Sequence, residues 1–168
     1  MKLYKILNLG FISYCSLLLA GCNTVSYQPD SLRGGYSDAV LGNGEYRVTY
    51  QGNGDISSIQ ALDFALLRAS VIAMNNQSEF AIVSKMLLTI ETVKIDLNLP
   101  YIYKPTARLT LSLKNDEDLT SALVSCELIG YYVTIKNQSR DFAFKPRECI
   151  ARLKAKYQLA ASKNRVTH

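Results

Sequence analysis

Little in this chain of 168 residues is equipped for chemistry. Its one histidine is His168, the last residue, so no Ser-His-Asp or Cys-His site can form around an internal imidazole. The cysteines stand at 15, 22, 126 and 149, and no two of them have the spacing of a zinc site. Carboxylates are present throughout, but no pair is singled out for general acid and base work. The expectation is therefore no catalytic residue, no metal ligand and no cofactor, with a hydrolase the least supported class. What remains is the thiol of Cys22, at the end of Leu17-Leu18-Leu19-Ala20-Gly21-Cys22-Asn23. A thiol is a nucleophile that can accept a lipid. Small residues before it let a peptidase accommodate extended backbone.

The residues leading to Cys22 have the parts of a secretory signal peptide. Lys2 and Lys5 make a positive start with no acid, and Ile6–Leu19 is mostly apolar, with Asn8, Ser13 and Ser16 as its polar residues. That run is short of the 20 or so apolar residues that span a bilayer as a helix. Leu19-Ala20-Gly21-Cys22 resembles the lipobox of bacterial lipoproteins. The resemblance implies cleavage between Gly21 and Cys22, an S-diacylglycerol on the thiol and an N-acyl chain on the new amine. Two or more chains anchor stably where one does not. Asn23 is not the Asp that, by the same resemblance, would retain a lipoprotein at the inner membrane, so the outer membrane is expected. The expected organisation is signal peptide over 1–21, lipidated N-terminus and flexible tether over 22–33, one domain over 34–161, and a disordered basic tail over 162–168. Asn23–Arg33 carries Pro29 and no period, and its 11 residues could extend roughly 35 Å.

Without its first 21 residues the chain keeps 147, one ordinary domain able to bury a core. Charge is uneven. Nine basic and two acidic residues follow position 135, against eight basic and twelve acidic between Cys22 and Ile135. A basic C-terminal end can face an acidic surface or can simply be a solvated helix face with a frayed tail. Nucleic acid is not an expected partner outside the inner membrane, and no metal is. Cys126 and Cys149 would remain after processing. In an oxidising compartment they either pair or stay as two buried thiols.

The elements that must position these residues read as a sheet with helices. Tyr36–Leu41 and Glu45–Gln51 form a hairpin around Gly42-Asn43-Gly44, with Tyr46, Val48 and Tyr50 on one face. Ser57 and Gln60 fit a capping box that opens a helix to about Asn75. Phe80–Ile95 and Thr106–Lys114 read as strands, and Ser121–Leu128 and Tyr131–Lys136 as a further strand broken at Gly130. Pro146 opens a last helix with Ile150, Leu153 and Tyr157 on its apolar side. The predicted class is α+β, an antiparallel sheet of about five strands with two helices on one face, ordered β-β-α-β-β-β-α, as a two-layer sandwich.

Three stretches carry a further resemblance: Gly35-Tyr36-Ser37, Tyr46-Arg47-Val48-Thr49-Tyr50-Gln51-Gly52-Asn53-Gly54, and Asp63-Phe64-Ala65-Leu66-Leu67-Arg68-Ala69. They resemble the block of an uncharacterised family of short Gram-negative lipoproteins, departing at Tyr50 for Phe and Phe64 for Tyr. The last helix is similar to that family's C-terminal segment, and the middle from about Lys85 to Asn137 has no match. The resemblance implies an exported, lipid-anchored, periplasm-facing envelope protein and no activity. The first expectation is a non-enzymatic module contacting another envelope protein. The alternative is a binding or carrier lipoprotein for a lipid, glycan or peptide, in a groove beside Tyr101/Tyr103 or Tyr131/Tyr132. Gly52-Asn53-Gly54 before a helix suits a turn better than an anion site, since no Gly-Lys-Ser/Thr follows. Asp63 and Arg68, five apart, each suit anchoring a neighbouring element.

Overall fold

The computed structural model describes residues 27–94, 96, 98–115, 123–134 and 140–159. The elements are β1 (Gly35–Gly42), β2 (Glu45–Gln51), α1 (Ser58–Asn75), β3 (Phe80–Val93), β4 (Ile102–Lys114), α2 (Cys126–Thr134), β5 (Phe142–Phe144) and α3 (Pro146–Lys156). The five strands form one antiparallel sheet in the order β1-β2-β4-β3-β5, with the helices as the second layer of an α+β sandwich.

Alternation sets which face is buried. Tyr46, Val48 and Tyr50 pair with Leu111, Leu109 and Ala107, and this side meets the helices. Arg47 and Thr49 pair with Thr110 and Arg108 on the other side. The β1–β2 turn needs three successive residues at positive φ, met by Gly42 (100°), Asn43 (52°) and Gly44 (73°). Ser57 caps α1 by accepting from the Gln60 amide at 3.1 Å. The helix ends at Asn75, where the Asn76 side-chain amide donates to the Ile72 carbonyl. Eleven of its 18 residues are buried, wider than one stripe, because α1 packs against β2, β3 and β4 and also against α2 and α3.

Three expectations are corrected. Residues 126–134 form helix α2 rather than a strand broken at Gly130. Cys126, Ile129 and Gly130 share a buried face at helical spacing, and tertiary packing overrides the β preference of Tyr131-Tyr132-Val133-Thr134. The fifth strand is Phe142-Ala143-Phe144, all three buried, paired with Val83-Ile82-Ala81. The order is thus β-β-α-β-β-α-β-α, with three helices.

The domain also begins before the expected residue 34. From Tyr27 the chain belongs to the fold. The Asp30 amide donates to the Tyr36 carbonyl and the Tyr36 amide to the Gln28 carbonyl, both at 2.9 Å. Gly35 (φ 146°) makes this approach possible, since a Cβ there would run into the carbonyl oxygens of Pro29 and Gln28. The expected signal segment 1–21, residues 22–26 of the tether and the tail 162–168 lie outside the described residues.

The β3–β4 hairpin is longer than its neighbour. Pairing of β2 with β4 stops at Gln51 and Thr106, while β3 and β4 continue to Val93 and Ile102. Four residues of β4, Ile102–Pro105, therefore extend past the end of β2.

Candidate functional site

The three stretches that resemble the lipoprotein block meet at one place. Tyr36 on β1, Tyr50 on β2 and Phe64 on α1 converge with Tyr27 and with Tyr157, the residue after α3. Phe64 is the hub, its ring 5.0 Å from Tyr50, 4.9 Å from Tyr157 and 5.9 Å from Tyr27, all edge-on. Tyr27 lies 4.7 Å from Tyr36, and the Arg68 guanidinium stands over the Tyr36 ring at 4.6 Å.

Two charged residues of α1 flank this aromatic cluster. Five positions on an α-helix turn through about 140°, so Asp63 and Arg68 face different neighbours. Arg68 Nε donates to Asp38 Oδ1 at 2.7 Å and holds β1. Asp63 is fully buried, and its Oδ2 accepts from Tyr157 OH at 2.6 Å and from Lys156 Nζ at 2.7 Å. It holds the end of α3. On its other side runs α2, where a Cβ on Gly130 would sit 3.4 Å from Asp63 Oδ1. The expected anchoring roles of Asp63 and Arg68 thus take the form of a strand tie and a helix tie.

Burial dominates the electrostatics of the cluster. Burial pushes the Tyr50 phenol up to about 12. Burial, then the hydrogen bond and charge of Asp63, raise Tyr157 further. Burial and then Tyr36 raise Tyr27, with the Arg68 charge opposing them. Burial alone would lower Arg68, but the bond and charge of Asp38 reverse this, and its net shift is upward. These phenols therefore stay protonated across the physiological range, and Tyr157 donates its proton to Asp63. The cluster is a clamp that ties the segment from Tyr27, β1, α1 and α3 together.

The other candidate residues fall as follows. Gly21 and Cys22 lie outside the described residues. Cys126 and Cys149 have Cα atoms 5.6 Å apart and form a disulfide between the first residue of α2 and the first turn of α3. Arg152 and Glu127 pair beside it at 3.3 Å. The Gly52-Asn53-Gly54 stretch is a packing turn. The Gly52 amide donates to the Pro105 carbonyl at 2.7 Å, a Cβ on Gly54 would press on Ile102, and the Asn53 amide binds the Asp55 carboxylate. The Gly52 amide, one of the donors considered for an anion, is thus already taken by a backbone carbonyl.

The tyrosine pairs do not share a sheet face. Tyr101 and Tyr103 stand exposed on the long hairpin, whereas Tyr131 and Tyr132 are on α2, with Tyr132 stacked on Phe142. A groove of about 450 Å³ lies elsewhere, between the end of α1 and the start of α3, lined by Met74, Gln77, Lys145, Arg147 and Glu148 among others. On α3, Arg152 and Lys156 pair with acids of this same domain, which reduces the basic face read from sequence. Sequence reasoning missed the part of Tyr27, which it assigned to the tether, and of Lys156. The cue for Tyr157 was its place on the apolar side of the last helix. No family model matches the chain, and neither does any curated protein or solved structure.

Proposed function

We propose that this is an exported lipoprotein, fixed to the bacterial cell envelope by acyl chains on Cys22. Its α+β domain faces the periplasm, at the outer rather than the inner membrane, as a non-enzymatic module for a protein partner. The observation that carries this reading is the N-terminal sequence: a lysine-bearing start, an apolar run, and Leu19-Ala20-Gly21-Cys22 at its end. Two structural features support it. The Cys126–Cys149 disulfide suits an oxidising compartment beyond the cytoplasm. The aromatic clamp grips the chain at Tyr27, five residues after Cys22, as a domain pulled through its N-terminus requires. Its phenols are held protonated and Asp63 and Arg68 are engaged in holding elements, which favours an interaction role over catalysis.

The test is the intact mass of the protein taken from membranes, for wild type and Cys22→Ala. The expected wild-type mass is that of Cys22–His168 plus three acyl chains, with the variant unprocessed. A wild-type mass equal to the unmodified full chain would overturn both export and anchor.

A further inference from the structure

We infer that the free end of the β3–β4 hairpin is a second membrane contact, seated among the headgroups of a phospholipid bilayer. The inference rests on the proposed lipid anchor.

Large apolar side chains scattered singly over a surface need no explanation, but a contiguous exposed set does. The hairpin end carries Ile90, Leu99, Tyr101 and Tyr103, each more than half exposed. Ile90 and Tyr103 share their strand face with Leu88 and Ala107 by alternation. Ala107 lies within the core, whereas Ile90 and Tyr103 lie past the end of β2, where they stay exposed. Among the described residues of the connection, Leu99 and Tyr101 flank Pro100, beside Lys94, Asp96 and Asn98. Leu32 of the N-terminal segment is also fully exposed at this end, beside a small cleft with Gln51, Glu91 and Lys104, whose strand positions alternate with Ile90 and Tyr103 and so belong to the other sheet face.

The chemistry matches a bilayer interface. Tyrosine has an apolar ring and a polar tip, and aromatic belts mark the headgroup level of membrane proteins. Lys94 holds its ammonium 5.2 Å over the Tyr101 ring, an arrangement in which an apolar stem and ring can bury while the charge stays with phosphate.

Chain length selects the bilayer as occupant. Cys22 and Tyr27 are five residues apart, so the extended link is at most about 17 Å. Tyr27 packs on Tyr36, which is level in register with Tyr50 and Ala107. From Ala107 to Ile102 is five residues of strand, again about 17 Å. A lipid on Cys22 therefore holds the domain no farther from the membrane than the hairpin itself projects. With the strands along the membrane normal, the anchor and the apolar turn reach the same plane.

The chain contains no tryptophan, so one introduced indole reports alone. Leu99→Trp places it at the hairpin end. Leu41→Trp places it by the β1–β2 turn, at the opposite end of the sheet, and both sites are exposed. Each full-length gene is expressed, the protein is purified from membranes, its mass is measured, and it is reconstituted into phosphatidylethanolamine–phosphatidylglycerol vesicles with or without bromine on the acyl chains. With acylated protein, the Leu99→Trp emission should shift to the blue and be quenched by the brominated lipids. The Leu41→Trp emission should do neither. Acylated protein whose Leu99→Trp indole stays solvent-like overturns the inference and leaves the anchor standing. A blue shift without bromine quenching means that protein covers the hairpin, and equal quenching at both sites means that no particular end is seated; each overturns it. An unmodified mass removes the anchor and the inference with it.

Discussion

Replacing Asp63 by alanine removes the acceptor that holds the end of α3 to α1. Its Oδ2 takes hydrogen bonds from Tyr157 OH at 2.6 Å and Lys156 Nζ at 2.7 Å, and the two losses are unequal. The Lys156 side chain is 39% exposed, so its ammonium turns to water when the carboxylate goes. That half costs about 0.5–1 kcal/mol, as for a surface pair. The Tyr157 hydroxyl is partly buried and is left as a stranded donor, at about 1–3 kcal/mol. Some of this is returned, because a buried carboxylate with Oδ1 lacking a partner is itself a desolvation cost. The net loss is about 2–3 kcal/mol, which lowers Tm by roughly 6–10 °C for a domain of this size. Thermal unfolding followed by near-ultraviolet circular dichroism reads the shift, and amide exchange should rise first in α3. Lys156→Met leaves the fully buried Asp63 carboxylate without its counter-charge and should cost at least as much, about 3 kcal/mol. In a double-mutant cycle Asp63→Ala and Tyr157→Phe should couple by about 1–2 kcal/mol. Strict additivity of the two, or an Asp63→Ala protein within about 0.5 kcal/mol of wild type, would refute the latch.

Three other perturbations test the rest of the framework. The disulfide spans a sequence separation of 23, for which loop-closure entropy gives about 3 kcal/mol. Reduction should therefore lower the urea midpoint by roughly 1.5 M at an m-value near 2 kcal/mol/M, and an unmoved midpoint would show that the cross-link adds nothing. The folded Tyr50 phenol lies above its unfolded value of 10, so its contribution is whole below pH 10 and is lost as pH rises through about 12. That amounts to about 2.7 kcal/mol at 1.36 kcal/mol per unit. Tyr50→Phe should reduce this alkaline loss in urea titrations. It should cost little at neutral pH, because the hydroxyl has no hydrogen-bond partner among the described residues. Gly35→Ala drives a Cβ into the Pro29 and Gln28 carbonyls at a φ that favours glycine. Limited proteolysis should then cut within 27–34 while the wild type resists, and equal resistance would show that the segment re-seats.

The parts of the fold that sequence made legible are those where local and tertiary preferences agree. In β2 and β4 the apolar positions alternate and the alternate faces are buried, so pattern and structure coincide. Helix α1 announces itself by Ser57, which caps it as its type and spacing suggest. Helix α2 is the converse. Tyr131-Tyr132-Val133-Thr134 favours a strand, and Gly130 in mid-helix costs about 1 kcal/mol relative to alanine. What makes it a helix is remote in sequence: the disulfide to Cys149, the Arg152–Glu127 pair, and packing of Gly130 against Asp63 and Ile59 of α1. The i, i+3, i+4 set of Cys126, Ile129 and Gly130 was the signal for it, and two of the three are not strongly apolar. The clamp hid for a related reason. Asp63 and Arg68 stood out as charges within an apolar helix, but their partners Asp38, Lys156 and Tyr157 lie 30 to 94 residues away. Tyr27 read as tether because no period surrounds it. Only the glycine-permitted return at Gly35 brings it beside Tyr36, so its place in the cluster is set by backbone geometry that no side-chain pattern announces.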